Sequence, residues 1–417
     1  MDRSKINQSE LSYSSGAGFA KINLSTGRLL YEYYDVGIGN NLFNIDVSHI
    51  YNSMFDLSQY VNTYVGNNFK LNVQQYIIVE NGKYVYIDSM GYKHIFEQLS
   101  NNKFYDSEGL ELILEVNNNL LTIKDQQNNR LIFENNKIIK SVSNINETKK
   151  FDYDSFGRLK IIYDTNYPNM KLLFEYDNKT NLLNYIKYKN GINVVKKIHY
   201  EYNENNNLIK VSDDIEKHMF IYAKNYLTNV VSLKDKSTFL FDYNINGQIE
   251  SIKQGFVTLE SVKKEKNNYY LNDNSYVDED KYIGGKYISD ENFIIKNPTI
   301  YGEDLISYNN LIYDDNNTIV ENEKNLKFIY FFNEKGYTVS EFEINNGDIN
   351  DLKTTEKYGK ETMISKSNSL EKINTRNVHI LNMDYIISKE NLMKDYFENL
   401  KSYRKYKCSN YINFMCD

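Results

Sequence analysis

Five histidines, two cysteines and a few Asp-Ser-His and Gly-x-Gly letters are the places where this sequence could do chemistry. His49, His94, His199, His218 and His379 are dispersed, and none forms the i, i+4 pair or Cys/His cluster of a zinc site. Asp46-Val47-Ser48-His49 holds the letters of a nucleophilic triad, but adjacent strand residues point to opposite faces, so a structural role is expected. Gly16-x-Gly18 and Gly37-x-Gly39 lack the third glycine and the strand-to-helix setting of a phosphate loop, and read as turns. Asn272-Asp273-Asn274-Ser275 and Asp314-Asp315-Asn316-Asn317 have the composition of calcium loops without the Gly and distal Glu that such loops need. Cys408 and Cys416 could close a small loop under oxidising conditions, but without a secretion signal reduced thiols are expected. The expectation is a protein without enzymatic activity, bound metal or cofactor.

The composition points to a sheet protein. Of 417 residues, 41% are apolar and 14% aromatic, with 39 Tyr, 21 Phe and no Trp, and such residues favour a pleated, half-buried surface. The net charge of −7 and the absence of a basic stripe with interleaved aromatics argue against a nucleic-acid partner. The N-terminus lacks the apolar core of a signal peptide, and no run approaches the roughly 18 apolar residues of a membrane span. Synthesis in the cytoplasm is expected, with any export left to a dedicated system.

The positioning elements come from a unit headed by tyrosine. Its clearest copy is FDYDSFGRLKIIYD, residues 151–164, and further heads are Phe174-Glu175-Tyr176-Asp177, His199-Tyr200-Glu201-Tyr202-Asn203, a worn Phe220-Ile221-Tyr222, and Phe241-Asp242-Tyr243-Asn244. Tyr153, Tyr176, Tyr202, Tyr222 and Tyr243 are separated by 23, 26, 20 and 21 residues, the window of a stacked array. After the tyrosine comes Asp154, Asp177, Asn203 or Asn244, whose side chain can begin an Asx-turn. Four residues past it stand Gly157, Thr180, Asn206 and Gly247, and three of these four tolerate positive φ. The return strand starts at Leu159, Leu183, Leu208 or Ile249, followed three residues later by Ile162, Ile186, Val211 or Ile252. An odd separation cannot keep both on one face of an ideal strand, so a bulge, a twist or burial on both faces is expected between them. A diluted earlier copy is headed by Phe133, turned by Asn135 and Asn136, and returned by Ile139 and Val142.

These residues resemble the YD repeats of the Rhs family, which includes the teneurins and the cocoon components of insecticidal toxin complexes. The unit aromatic-x-Tyr-Asp-x-x-Gly-Arg-Leu-x-x-Ile is matched over residues 151–162, including Arg158. The resemblance extends upstream through Gly16–Ala20, Thr26–Leu29, Tyr34–Val36 and Val47–Ser53, and then through Tyr84–Asp88 and Gly91–Phe96, where Asp and Gly shape a turn. It covers roughly residues 16–256, and Phe328–Tyr337 is a weaker echo in which the sheet would continue. Where relatives carry Gly-x-Gly-Trp this chain has Gly66-Asn67-Asn68-Phe69, and nothing resembles the self-cleaving element that closes the bacterial shells.

The resemblance implies a mostly β antiparallel hairpin-repeat array, an open segment of a shell wall, that holds, presents or partly encloses another polypeptide. Its protein partner would be a toxin, an effector or a shell neighbour. The expected organisation is a flexible N-terminus at 1–15, a β-rich opening segment at 16–109 and the YD array at 110–256. A degenerate continuation at 257–350, a linker at 351–387 and an amphipathic helix at 388–417 would follow. That helix is read from Ser388, Glu390, Leu392, Met393, Tyr396, Phe397, Leu400 and Tyr403, with Lys401, Arg404, Lys405 and Lys407 near its end. Two alternatives stand beside this reading. One is a surface adhesin whose exposed Tyr33, Tyr34, Tyr269 and Tyr270 stack on glycans. The other is a toxin-type effector active in residues 350–417, where His379, Asp384, Glu390 and Cys408 are the only candidate groups.

Overall fold

The computed structural model describes residues 10–39, 44–55, 62–106, 111–257, 262–265, 268–271, 276–278, 305–314, 317–332, 336, 338–345 and 348–354. All regular structure in them is β-strand, as the aromatic and β-branched composition requires. The expected C-terminal helix lies outside the described residues, as do Cys408, Cys416 and His379.

The first sheet contains β1 (Glu10–Ser15), β2 (Gly18–Asn23), β3 (Leu29–Gly39), β4 (Asn44–Asn52) and β5 (Phe69–Leu71), paired in sequence order and antiparallel. Glu10–Ser15, which the sequence placed in a flexible N-terminus, therefore form a strand, held by six register pairs to β2.

The second sheet begins with β6 (Tyr76–Glu80), β7 (Lys83–Ile87), β8 (Lys93–Ser100), β9 (Lys103–Asp106), β10 (Ile113–Asn117), β11 (Leu120–Lys124), β12 (Arg130–Glu134) and β13 (Lys137–Val142). The repeats follow as β14 (Thr148–Tyr153), β15 (Leu159–Asp164), β16 (Met170–Tyr176), β17 (Leu183–Asn190), β18 (Asn193–Tyr202), β19 (Leu208–Ser212), β20 (Lys217–Ala223), β21 (Tyr226–Ser232), β22 (Ser237–Tyr243) and β23 (Ile249–Phe256). A small separate sheet holds β24 (Val262–Glu265), β25 (Asn268–Leu271) and β26 (Tyr276–Asp278). The main strip then resumes with β27 (Leu305–Asp314), β28 (Asn317–Asn322), β29 (Lys327–Phe332), β30 (Thr338–Asn345) and β31 (Asp348–Thr354), and β23 pairs directly with β27. The expected opening segment at 16–109 thus divides between two sheets. β29 carries the echo at Phe328, and β31 runs four residues into the expected linker.

Each strand of the strip pairs with its neighbour in the strip, and among the described residues the sheet closes on itself between β6 and β13. Tyr76 of β6 is in register with Lys137 of β13, and the Ile77 amide donates to the Asn136 carbonyl at 3.1 Å. Eight strands, β6 through β13, therefore complete a turn, and the strip from β14 onward runs on from that ring. The right-handed twist between strands and the register shifts at Gln98–Ser100 and Ile132–Phe133 supply curvature within this ring.

The buried face of the strip is aromatic and aliphatic, and the first sheet packs on it in one continuous core. Tyr31, Tyr51, Phe69, Phe133, Tyr200, Phe220, Phe239 and Ile252 all belong to that core. Phe220 sits 5.8 Å from Tyr31 and 5.5 Å from Phe69 by ring centroids, both edge-on. A fully buried phenylalanine contributes about 1.5–3 kcal/mol by its area alone. The strip thus covers a folded segment of its own chain.

Candidate functional site

The repeat motif forms a hydrogen-bonded ladder in which a side chain satisfies backbone amides at four of the turns. Asp154 accepts the amides of Phe156 and Arg158, Asp177 those of Lys179 and Thr180, Asn203 those of Asn205 and Asn207, and Asn244 those of Asn246 and Gln248. These are the Asx-turns that the sequence predicts. Gly157, Asn206 and Gly247 take positive φ as expected. At the second copy the position moves by one: Asn181 has φ +62°, and Thr180 instead bonds Asp177 through its hydroxyl at 3.1 Å. The turn there is one residue longer, which places the amide of an asparagine where the left-handed conformation is needed.

Past each turn the register slips. Asp152 pairs with Ile161 while Tyr153 pairs with Leu159, so Lys160 is the extra residue of a bulge. The same slip occurs at Tyr176–Leu183, Tyr202–Leu208, Tyr222–Leu227 and Tyr243–Ile249. Leu159 and Ile162 therefore both face the core, at 2% and 0% exposure. In the diluted copy the buried return residue is Ile138 and not Ile139, because Phe133 pairs with Ile138 after its own register shift.

Bulges free backbone groups, and two sets of partners take them up. The carbonyl of each return residue accepts the tyrosine hydroxyl of the next repeat: Tyr153 to Ile138, Tyr176 to Leu159, Tyr222 to Leu208, Tyr243 to Leu227 and Tyr313 to Ile249, at 2.6–2.9 Å. Burial pushes these phenols above their ordinary pKa, so they remain donors. On the amide side, Leu183 donates to the Tyr64 carbonyl, Leu227 to the Tyr51 hydroxyl and Ile249 to the Gly27 carbonyl, all contributed by residues 10–71. Tyr202 departs from the pattern, since its buried hydroxyl has no partner among the described residues. Arg158 ties neighbouring turns, donating to Asp154 at 2.7 Å and Asn181 at 3.1 Å while lying 4.6 Å over the Tyr176 ring.

A second constellation joins the first sheet to the repeats, and the motif reading did not anticipate it. Asp35, 2% exposed, lies within 3.0 Å of His49 Nδ1 and accepts the Tyr200 hydroxyl at 2.8 Å. Lys196 donates to the Asp35 carbonyl at 2.6 Å and pairs with Asp213 at 2.9 Å. His49 thus meets Asp35 across the strand pair, and not its sequence neighbours Asp46 and Ser48, as its ring partner. His218 packs on Tyr33 with ring centroids 3.8 Å apart, and burial drives its pKa down to about 3. Tyr33, expected among the exposed tyrosines, is thereby turned into an interface, whereas Tyr34 is 52% exposed. Nearby, Lys70 is buried and donates to the carbonyls of Asp88 and Ser89, and desolvation lowers its pKa to about 7. Asp88 also accepts the Tyr92 amide and contacts His94, with Gly91 at φ +84°, the Asp-Gly turn read from the sequence.

The Asp35–His49 pair is sealed by Phe69, Tyr200 and Phe220, and polar groups in it bridge two sheets. The signal for Asp35 in the sequence is a pair of carboxylates, Glu32 and Asp35, set among the aromatic and aliphatic residues of the strand Leu29–Gly39.

No protein-family profile matches the chain, and no curated protein does. Solved structures do: a crystal structure of TcdB2-TccC3 without its hypervariable C-terminal region aligns over 86% of this chain at 9% identity and a TM-score of 0.23. Another, of TcdB2-TccC3, aligns over 85% at 10% identity and a TM-score of 0.22. This chain spans 23% and 20% of those two chains.

Proposed function

We propose that this chain is a non-enzymatic YD-repeat scaffold, part of an Rhs-type wall, that holds a polypeptide against the aromatic face of its strip. The observation that carries this reading is the ladder itself. Its freed amides at Leu183, Leu227 and Ile249 are satisfied by a polypeptide laid across successive repeats, here residues 10–71 of the same chain. A wall of this kind binds by backbone geometry repeated at each bulge, so its partner would be a polypeptide and its chemistry adhesive.

Cross-linking of the full chain in its source cells, followed by mass spectrometry, tests the reading. Cross-links from one second polypeptide to lysines along the strip are expected. Recovery of the intact chain with none, under conditions where links within the chain form readily, would reject it. A hydrolytic or transferase activity that survives purification to homogeneity would reject its non-enzymatic part.

A further inference from the structure

The hairpin of β17 and β18 leaves an edge uncovered. β18 has ten residues and β19 five, so pairing between them starts only at His199 with Ser212. Asn193–Ile198 is bonded to β17 on one side, and among the described residues no strand lies along the other. An unpaired row of backbone donors and acceptors is a template for another strand. The turn residue Ile192 is 91% exposed, and Val194 and Val195 are 49% and 60% exposed, so the apolar side chains are presented as well.

The charge on this edge selects what can pair with it. Residues 183–200 carry Lys187, Lys189, Lys196 and Lys197 and no acidic residue, in a chain of net charge −7. Lys187 is matched by Glu175 and Lys196 by Asp213, whereas Lys189 and Lys197 have no carboxylate partner among the described residues. Lys197 lies 3.8 Å over the Tyr185 ring, which holds its stem against the sheet. The register of β18 on β17 shifts at Val195, so strict alternation is broken there and Val194 and Val195 are both exposed. A second copy of this hairpin would bring four more lysines and no carboxylate to the edge, and that accumulation of like charge opposes self-pairing.

We propose that the free edge of β18, Asn193–Ile198, is a docking site for an extended acidic segment of a partner polypeptide, added as an antiparallel strand. Facing Val194, Val195, Lys196 and Lys197 in antiparallel sense, such a strand presents two carboxylates followed by two aliphatic residues. This site stands apart from the scaffold reading, whose held segment lies on the buried face, and either can fail without the other.

The test uses the full chain and a fluorescent peptide, Thr-Glu-Glu-Val-Val-Thr, with binding read by anisotropy. Three further probes accompany it: its Thr-Lys-Lys-Val-Val-Thr counterpart, a version N-methylated at alternate amides, and a short single-stranded DNA. Expected are binding of the acidic peptide, its loss on N-methylation, and an affinity lowered about tenfold or more by Lys197→Glu. The basic counterpart should bind the Lys197→Glu variant better than the unaltered chain, which shows that the variant is folded and the site intact. Equal binding of the N-methylated peptide would overturn strand addition. DNA binding at least as tight, also weakened by Lys197→Glu, would overturn the polypeptide partner. A dimer in solution lost on Val195→Asp would mean that a second copy occupies the edge.

Discussion

The hydroxyls of Tyr153, Tyr176, Tyr222, Tyr243 and Tyr313 each bond a carbonyl of the preceding repeat, which makes the orphaned Tyr202 an internal control. Tyr222→Phe leaves the Leu208 carbonyl without this donor and should cost about 1–2 kcal/mol in urea denaturation. Tyr202→Phe removes a hydroxyl without a partner among the described residues and should be neutral or slightly stabilising. Lys70 gives a second check. Its folded pKa of about 7 lies below the ordinary 10.5, so between those values the unfolded chain holds the extra proton and stability rises with pH. Above about pH 10 the buried tyrosines act in the opposite sense, since the unfolded chain loses phenolic protons first. The urea midpoint should therefore climb from pH 7 to about 9 and then fall, and Lys70→Met should flatten the climb. The tyrosine heads were legible in the sequence because they recur. Asp35 and Lys70 were not, because Asp35 meets Tyr200 and Lys196 more than 160 residues on and Lys70 is held by backbone carbonyls, which leave no letter in the sequence.

At the level of the hairpin, the sequence revealed more than residue types. The three-residue step from Leu159 to Ile162 required a bulge or its equivalent, and the register slip at Tyr153 supplies it. Turn length was less legible, as Thr180 and Ile139 show, because one added residue moves the left-handed position without changing the letters around it. Glycines at these turns divide into two kinds. Gly157 has φ +74°, and an added Cβ would meet only the far end of the Lys137 side chain, which must give up its bond to the Gly157 carbonyl. Gly157→Asn should be nearly neutral, as Asn206 already occupies the matching position. Gly27 has φ +70°, and an added Cβ would lie 2.4 Å from Gln248 Cβ and 3.0 Å from its Cα, where the first sheet meets a repeat turn. Gly27→Asn should loosen that joint, and amide exchange at Ile249, whose partner is the Gly27 carbonyl, is the readout.

For the molecule as a whole, the antiparallel β architecture followed from composition and repeat. Ring closure at Tyr76 and Lys137 did not, because a single register pair leaves no pattern in either strand. The seam between the first sheet and the repeats should fail in acid. His218 is held neutral down to about pH 3, while an unfolded histidine takes its proton near pH 6.5, so stability is lost as pH falls through that window. Glu201, held near pH 2 by His199 and Lys210, adds a loss at lower pH, below about 4.5. His218→Leu should reduce the fall between pH 6.5 and 4.5 by about one proton's slope, roughly 1.4 kcal/mol per pH unit. Denaturant titrations across that range, with and without the substitution, check it.

The stitching of the first sheet to the strip also fixes a schedule for biogenesis. The Leu24 carbonyl is bonded by Thr318, 294 residues later, and the Ser14 carbonyl by Gln254, 240 residues later. At ribosomal rates Leu24 waits roughly 15–60 s for Thr318, and Tyr31 roughly 10–40 s for the Phe220 that covers it. Through that interval a nascent sheet carrying Tyr31, Tyr51 and Phe69 is sticky and uncovered, and a holdase at the ribosome exit is the cellular factor on which the yield of this chain should depend.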